Sequence, residues 1–309
     1  MLNPVHLRTL AMVVLTGSFA DAARRLGYTA SAVSQQISAL ERSVRMPLFD
    51  RDAHSVHSTP AAEFLVSRSY EALAALDALE GDVRAMAEGT MGRLRLGSFP
   101  TANEQVLPRA LPKLISDSSQ LEVHLDEGEP DELVPMLMDQ ELDIAIVYRY
   151  DLVPQRWPQG VQTVALLDES LFLLLPSDHR LVGQPVSLKD LADEKWISTR
   201  ERSAGATALR RACAQAEFSP IVDFRSNDYD VVRGFVRSGL GIALVPALAH
   251  LPSAGVEAVL IEDLAVKRHV MALHRPARST GAICAALIAL RSAAGSLRED
   301  FPGLDVFTT

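Results

Sequence analysis

The chain has 309 residues, 48% of them hydrophobic and 22% charged. That balance excludes a mainly disordered state and, at roughly 150 residues per domain, makes room for about two domains. With 17 Gly and 17 Pro no collagen-like or low-complexity reading stands, and two cysteines, Cys213 and Cys284, are too few for a disulfide framework and suit a reducing compartment. The net charge of −9 is unevenly spread: residues 1–60 carry six basic and four acidic side chains, net +2, which leaves −11 on the remainder. A mildly basic module joined to an acidic body is the distribution of a DNA binder with a separate ligand domain. No run reaches the ~18 consecutive apolar residues of a membrane span. The apolar stretch at 12–15 lacks a clustered basic start, so it reads as an amphipathic helix and not a secretory signal, and a cytoplasmic protein without a membrane partner is expected.

Leu7, Leu10, Met12, Val13 and Val14 give residues 4–16 a helical apolar face. Ser18 is a cap for a second helix over 18–26, with Asp21 in its first turn, and Gly27 can adopt the left-handed conformation that ends it. A third helix over 30–44 follows Thr29. Its Val33, Ile37, Leu40 and Val44 share one face, and Ser31, Ser34, Gln35, Ser38 and Arg42 another. Ala22 and Ala23 let the helices approach closely, Gly27 permits the turn and Val33 fills the joint, which is the helix-turn-helix pattern. Residues 47–60 read as a short hairpin or wing. Pro60 opens a helix to about residue 89, in which positions 65, 72, 79 and 86 (Leu, Ala, Leu, Met) and 62, 69, 76 and 83 (Ala, Ser, Leu, Val) form a seven-residue repeat. Such a helix, about 42 Å long at 1.5 Å per residue, suits a dimer seam, with packing on its own chain as the alternative.

Beyond residue 91 the texture changes. Strands are expected at GRLRLGSF, LEVHLDE, LDIAIVY, TVALLDESLFLLLP, WIST, IVDFRS, GIALVP, VLIED and VMALHR, with helices at about 103–116, 130–140, 204–216, 228–238 and 279–296. This alternation predicts an α/β sheet flanked by helices. The pattern resembles a periplasmic-binding-protein fold of two linked lobes. The last ten residues, DFPGLDVFTT, read as a loose tail, with a docking segment as the alternative.

The segment SFADAARRLGYTASAVSQQISALERSVRMPLFDR resembles the N-terminal helix-turn-helix of LysR-type transcriptional regulators. The likeness continues through the wing, the Thr59-Pro60 start of the linker helix, the LRLGS strand, the ELDIAIV strand and VVRGFVRSGLGIALVP, and so covers nearly the whole chain. The resemblance implies an all-α winged helix-turn-helix domain (1–59), a linker and dimerisation helix (60–89), and a two-lobed α/β effector-binding domain of periplasmic-binding-protein type (90–309). Its lobe I spans about 90–164 and 268–309, and lobe II about 165–267. It also implies a homotetramer, a dimer of dimers, that binds double-stranded promoter DNA under the control of a small-molecule effector between the lobes, with RNA polymerase as a further candidate partner. Ala30 departs from the usual pattern, standing where the family often has Gln. His54 and His57 stand where the wing usually has Arg, and Ala62 where Gly is common; neutral His grips phosphate less firmly than Arg.

On this reading the DNA-facing residues are Ala30, Ser31, Ser34, Gln35, Ser38, Arg42, Arg51, His54 and His57. Gln35 is the base-reading candidate, Ala30 is placed to meet a thymine methyl, and Arg42 and Arg51 to meet phosphates. The dimerisation residues are Leu65, Ala72, Leu76, Leu79, Val83 and Met86. An effector site is expected where strand ends face a cleft, at Ser98, Phe99, Pro100 and Thr101, at Tyr148 and Arg149, at Ser198, Thr199 and Arg200, and at Asn227 and Asp228. Two arginines with hydroxyls point to an anionic effector, a carboxylate or phosphate, with pairing to surface acids as the bland alternative. No GxSxG or HExxH motif appears, and His179, His250, His269 and His274 lack metal-ligand spacing, so neither enzyme activity, metal nor cofactor is expected. The rivals are a cytoplasmic solute-binding receptor without specific DNA binding and an α/β hydrolase or transferase. Cys213 and Cys284 read as small buried hydrophobes, with thiol sensing as the minor alternative because Arg210 and Arg211 precede Cys213.

Overall fold

The structure, a computed structural model, describes residues 2–52, 55–88, 92–117, 121–278 and 280–307. The chain forms two compact units, Met1–Arg84 and Ala85–Thr309.

In the first unit, local capping chemistry sets the helix ends. Helix α1 (Pro4–Thr16) starts where the Asn3 side chain accepts the Val5 N–H at 2.9 Å. Helix α2 (Phe19–Leu26) starts where Ser18 Oγ accepts the Asp21 N–H, and stops at Gly27, whose φ of 71° only glycine adopts without strain. Helix α3 (Ala30–Val44) is capped in the same way by Thr29, which accepts the Ala32 N–H. Strands β1 (Phe49–Asp52) and β2 (Ser55–Ser58) pair antiparallel as a hairpin, and helix α4 (Pro60–Glu88) follows. Leu7, Leu10, Val13, Ala22, Ala23, Val33, Ile37, Leu40, Leu48 and Phe49 form one buried core. The methyl-sized Ala22 and Ala23 lie fully inside it, which is why three short helices can meet there.

Helix α4 has two apolar faces. Ala62, Val66 and Leu73, at helical spacing, close over the first unit's core, and Ser69 is buried with them, its hydroxyl donating to the Val66 carbonyl at 2.9 Å. Leu76, Leu79, Val83 and Met86 are exposed, as is Ala72. Leu65 departs from its assignment to the dimer seam: it is half-buried and packed on its own unit's core.

The second unit runs β3 (Arg93–Ser98), α5 (Pro100–Gln105), α6 (Leu107–Asp117), β4 (Glu122–Glu127), α7 (Pro130–Met138), β5 (Ile144–Tyr150), β6 (Gln162–Pro176), β7 (Lys195–Ser198), α8 (Ala204–Gln215), β8 (Ile221–Arg225), α9 (Tyr229–Arg237), β9 (Ile242–Pro246), β10 (Val256–Val259), β11 (Lys267–His274), α10 (Gly281–Ser296) and β12 (Leu304–Val306). The strand order is β4-β3-β5-β11-β6-β9-β7-β8. The 15-residue β6 makes the architecture two-lobed: residues 162–170 pair with β11 in one lobe, and residues 171–176 pair with β9 and β10 in the other. Each lobe is mixed, with parallel strands β4-β3-β5 on one side and β8-β7-β9 on the other. This is the α/β arrangement that the alternation of elements predicts, in the two lobes that the resemblance implies.

Three local expectations change. The helix expected at 103–116 starts at Pro100 and is interrupted at Val106, because Pro108 has no N–H to carry an α-helical ladder through. The VLIED strand gives way to β10, which starts three residues earlier, with Ile261 buried instead against the second lobe's core. The tail docks: β12 pairs with β6 across Leu167–Glu169, Phe301 and Leu304 are buried, and Lys267 pairs with Asp305. The helical stretch Gly281–Glu299, α10 with the turn that follows it, is long and apolar enough by composition to cross a membrane, but here Ile283, Ala286, Leu290, Ala293 and Ala294 pack into the domain core.

Candidate functional site

The third helix carries the first candidate surface. Val33, Ile37 and Leu40 are buried, which turns Ala30, Ser31, Gln35 and Arg42 to solvent, with Ser34 and Ser38 half-exposed between the two faces. The exposed set therefore combines a methyl, a hydroxyl, an amide and a guanidinium on one side of a rigidly backed helix. His57 is exposed on β2, and the backbone places Arg51 on β1 opposite Val56. The Arg51 side chain and His54 lie outside the described residues.

The second candidate is a cavity in the α/β unit, built at the C-terminal ends of parallel strands from both lobes, where an α/β sheet leaves a crevice. Its inner part is lined by Phe99, Pro100 and Thr101 after β3, Glu129 after β4, Tyr148 and Tyr150 at the end of β5, Thr199, Ser203 and Gly205 around the start of α8, Asn227 and Tyr229 at the start of α9, and Arg268 on β11. A wider mouth of about 310 Å³ adds Asp131, Glu132, Arg149, Arg200 and Arg202. The β7–α8 turn is drawn in by a 2.6 Å hydroxyl contact between Thr199 and Ser203. Gly205 keeps the cavity open, since a Cβ there would stand 3.0 Å from Thr199 Oγ1 and 3.5 Å from the Tyr150 hydroxyl.

Arg268 forms the floor. Its Nε donates to Glu169 Oε1 at 2.6 Å and its Nη2 to Thr101 Oγ1 at 2.8 Å, and its guanidinium lies over the rings of Phe99 and Tyr148 at 5.0 and 4.9 Å. Arg268 and Glu169 are 2% and 0% exposed. Burial works against the arginine's charge, but the Glu169 carboxylate, with Tyr150 and Tyr229, holds its pKa above the ordinary value. The Glu169 carboxylate also accepts the Leu248 N–H at 2.8 Å, so this pair ties β6, β11 and the segment after β9 together where the lobes join. Burial raises the phenol pKa values of Tyr148, Tyr150 and Tyr229, so all three are neutral at physiological pH. Glu129 accepts hydrogen bonds from the Tyr148 hydroxyl and, at 3.3 Å, from Asn227 Nδ2.

The structure brings together Phe99, Pro100, Thr101, Tyr148, Arg149, Thr199, Arg200 and Asn227 from the residues expected at the site. Three others do not line it. Ser98 and Ser198 are buried at the ends of strands β3 and β7, and neither lines the cavity. Asp228 caps α9 by accepting the Asp230 and Val231 N–H groups. Sequence reasoning missed Glu129, Tyr150, Ser203, Gly205, Tyr229 and Arg268. Tyr150 was within reach, because strand alternation puts it on the same face as Tyr148. Glu129 was too, since it precedes a helix after a strand just as Phe99 does. Arg268 carried only a weak signal, a charge inside the strand KRHVMALH. Among the described residues Arg149, Arg200 and Arg202 form no ion pair, although Arg149 lies close enough to Asp151 to act on it electrostatically. No group of three or more His, Cys, Asp or Glu among the described residues could hold a metal ion.

Two family models match the chain. That of the bacterial regulatory helix-turn-helix protein, lysR family, covers residues 4–63, and that of the LysR substrate binding domain covers 87–295. The chain belongs to the LysR family. It is therefore a DNA-binding transcriptional regulator with an effector-binding domain. Similar curated LysR relatives include the small neutral protease regulatory protein of Streptomyces coelicolor, 28% identical over 265 residues, 85% of this chain and 79% of that protein. Another is the Bacillus subtilis transcriptional dual regulator GltC, 26% identical over 218 residues, 70% of this chain and 71% of that one. The fold is shared with HinK, a LysR regulator of Pseudomonas aeruginosa (TM-score 0.59, 23% identity, 96% of this chain and 100% of that one). It is also shared with a hydrogen-peroxide-bound mutant of Corynebacterium glutamicum OxyR (TM-score 0.58, 24% identity, 96% and 95%).

Cys213 in this LysR chain is buried in the second lobe's core, and burial pushes its thiol up to about 12, so little reactive thiolate exists at neutral pH. The two arginines before it are engaged elsewhere, Arg210 with Glu201 and Arg211 with the Leu152 carbonyl. That chemistry disfavours thiol sensing at Cys213.

Proposed function

We propose that this LysR regulator works in the cytoplasm as a dimer of dimers, and that a small molecule between the two lobes of residues 85–309 controls how it holds promoter DNA. The observation that carries this reading is the cavity at the strand ends, which draws residues from both lobes and is floored by an ion pair on the two strands that join them. A ligand touching both lobes binds one lobe arrangement better than another, and only that difference can shift the equilibrium. The exposed stripe of Leu76, Leu79, Val83 and Met86, with Ala72 in line, supports pairing of two α4 helices. Two recognition helices then enter successive major grooves about 34–36 Å apart, with Gln35 at a base edge, Arg42 and Arg51 at phosphates and His57 beside the backbone. The arginines at the cavity mouth support an effector with an acidic group. RNA polymerase is the partner through which such a change would be read, and the cavity binds its ligand without catalysis.

The test is retention of fragmented genomic DNA from the source organism on the full-length protein at two salt concentrations, followed by sequencing. Enrichment of a few promoters that share a dyad, reduced at the higher salt, is expected. Equal retention of all fragments, or of none, would refute sequence-specific regulation.

A further inference from the structure

The charges around the cavity separate into two zones, and the inner zone is not the anion site that the sequence pattern indicated. The inner pocket holds one cation, Arg268, and the charge of that group is matched by Glu169. Its donors reach Glu169 and Thr101, and its faces lie on Phe99 and Tyr148. With Glu169 fully buried against it, the pair presents no net charge to a ligand. The remaining inner charge is the Glu129 carboxylate. It accepts from Tyr148, from Asn227 and, as the N-cap of α7, from the Glu132 N–H, three of the roughly four acceptor positions of a carboxylate, and among the described residues it has no cationic partner within ion-pair distance. The surrounding groups Tyr148, Tyr150, Tyr229, Thr199 and Ser203 are all neutral. A ligand anion placed here would meet a like charge in a partly desolvated site, whereas an ammonium would complete the carboxylate's coordination with charge-assisted hydrogen bonds.

The mouth, which Glu129 also lines, brings in the free cations. Among the described residues Arg149, Arg200 and Arg202 line it without ion pairs, together with Asp131 and Glu132, and one Glu132 oxygen is occupied by the Glu129 backbone N–H at 2.8 Å. At about 310 Å³ this space is at the small end of ligand pockets.

We propose that the effector is a small zwitterion, an amino acid or a similar amino carboxylate, whose ammonium is held by Glu129 and whose acidic group meets the arginines of the mouth. This rests on the reading of the inter-lobe cavity as the effector site. Glu129 is then the residue that rejects simple carboxylates, because a ligand without a donor leaves its charge uncompensated as the lobes close.

Isothermal titration of the full-length protein with matched probes tests the proposal. The probes are the protein α-amino acids, 4-aminobutanoate, 5-aminopentanoate and 6-aminohexanoate, the n-alkylamines and n-alkanoates of matching length, and the corresponding dicarboxylates. At least one amino carboxylate is expected to bind about tenfold or more tightly than its amine, its monocarboxylate and its dicarboxylate, the scale of one charge-assisted hydrogen bond. Glu129→Gln should remove that preference, weakening the amino carboxylate about tenfold, and Arg200→Ala should weaken it as well. Tightest binding by a mono- or dicarboxylate, no binding by any probe, or an unchanged preference in Glu129→Gln would each overturn the proposal. The wild-type comparison holds even if the variant fails to fold. DNA retention by the same wild-type preparation separates the two readings. Where promoters are retained and the probe preference is absent, only the ligand class falls.

Discussion

Breaking the buried pair beneath the cavity should cost more than any other single polar change in the effector domain. Arg268→Met would leave the Glu169 carboxylate, 0% exposed, with only the Leu248 N–H at 2.8 Å as a partner. Glu169→Leu would leave a guanidinium, 2% exposed, with no carboxylate and only the Thr101 hydroxyl and the faces of Phe99 and Tyr148 against it among the described residues. Removing one partner of a buried pair costs about 3–5 kcal/mol, because the survivor keeps its charge without compensation. In a domain of roughly 150–250 residues each kcal/mol lowers Tm by about 2–4 °C, so each single variant should lose about 6–20 °C. The double variant Arg268→Met/Glu169→Leu buries no lone charge and should melt well above the sum of the two losses. Differential scanning calorimetry of the full chain at neutral pH, following the transition of residues 85–309, reads all three. Single losses below about 1 kcal/mol, or a double variant that loses the sum of the singles, would show that the pair is solvated and not a coupled buried unit.

Gln35→Ala should relax preference at one base pair by about 1–3 kcal/mol, whereas Arg42→Ala should weaken all sequences alike and flatten the salt dependence, both read by competitive gel shift with operator variants. Leu79→Glu with Val83→Glu should dissociate the α4-mediated dimer in sedimentation velocity; an unchanged sedimentation coefficient would remove α4 from the seam. Gly241→Ala should destabilise by about 1–3 kcal/mol in urea unfolding, because its Cβ would stand 2.6 Å from the Lys195 backbone oxygen of β7. Burial holds the pKa of His274 below its ordinary value, and burial together with the charge of Arg233 does the same for His250. The folded chain therefore binds fewer protons than the unfolded one, and stability is full above about pH 6.5 and lost as pH falls through the depressed folded pKa values. Tm should decline from about pH 6.5 downward, and His274→Gln should shallow that decline.

The elements of this protein were legible because their causes are local. Ser18 and Thr29 cap by hydrogen bonds that reach three residues, Gly27 ends a helix through its own φ, and the apolar periods of α3, β5 and β6 are written in consecutive residues. Gly239 at φ 69° after α9 is likewise a local requirement, whereas Gly241 answers to the distant Lys195 backbone of β7. The recognition face was legible for the same reason, since burial of Val33, Ile37 and Leu40 fixes which side of α3 is left outside.

The chemistry of the cavity was not. Its location followed from strand ends, but its charge depends on which ionisable groups neutralise one another, and those partners are far apart in the chain. Arg268 and Glu169 are 99 residues apart, and Asn227 and Glu129 are 98 apart. From the sequence, Arg149 and Arg200 were the visible charges; folding sets Glu129 beside them and cancels Arg268. The division of α4 into an inward and an outward face, and the docking of the tail as β12, are set in the same way by the surface each segment meets. Sequence alone determined which segments form helices and strands, and which family they compose. Tertiary structure alone decided which charges remain uncompensated, because electrostatic compensation depends on distance in space and not on distance along the chain.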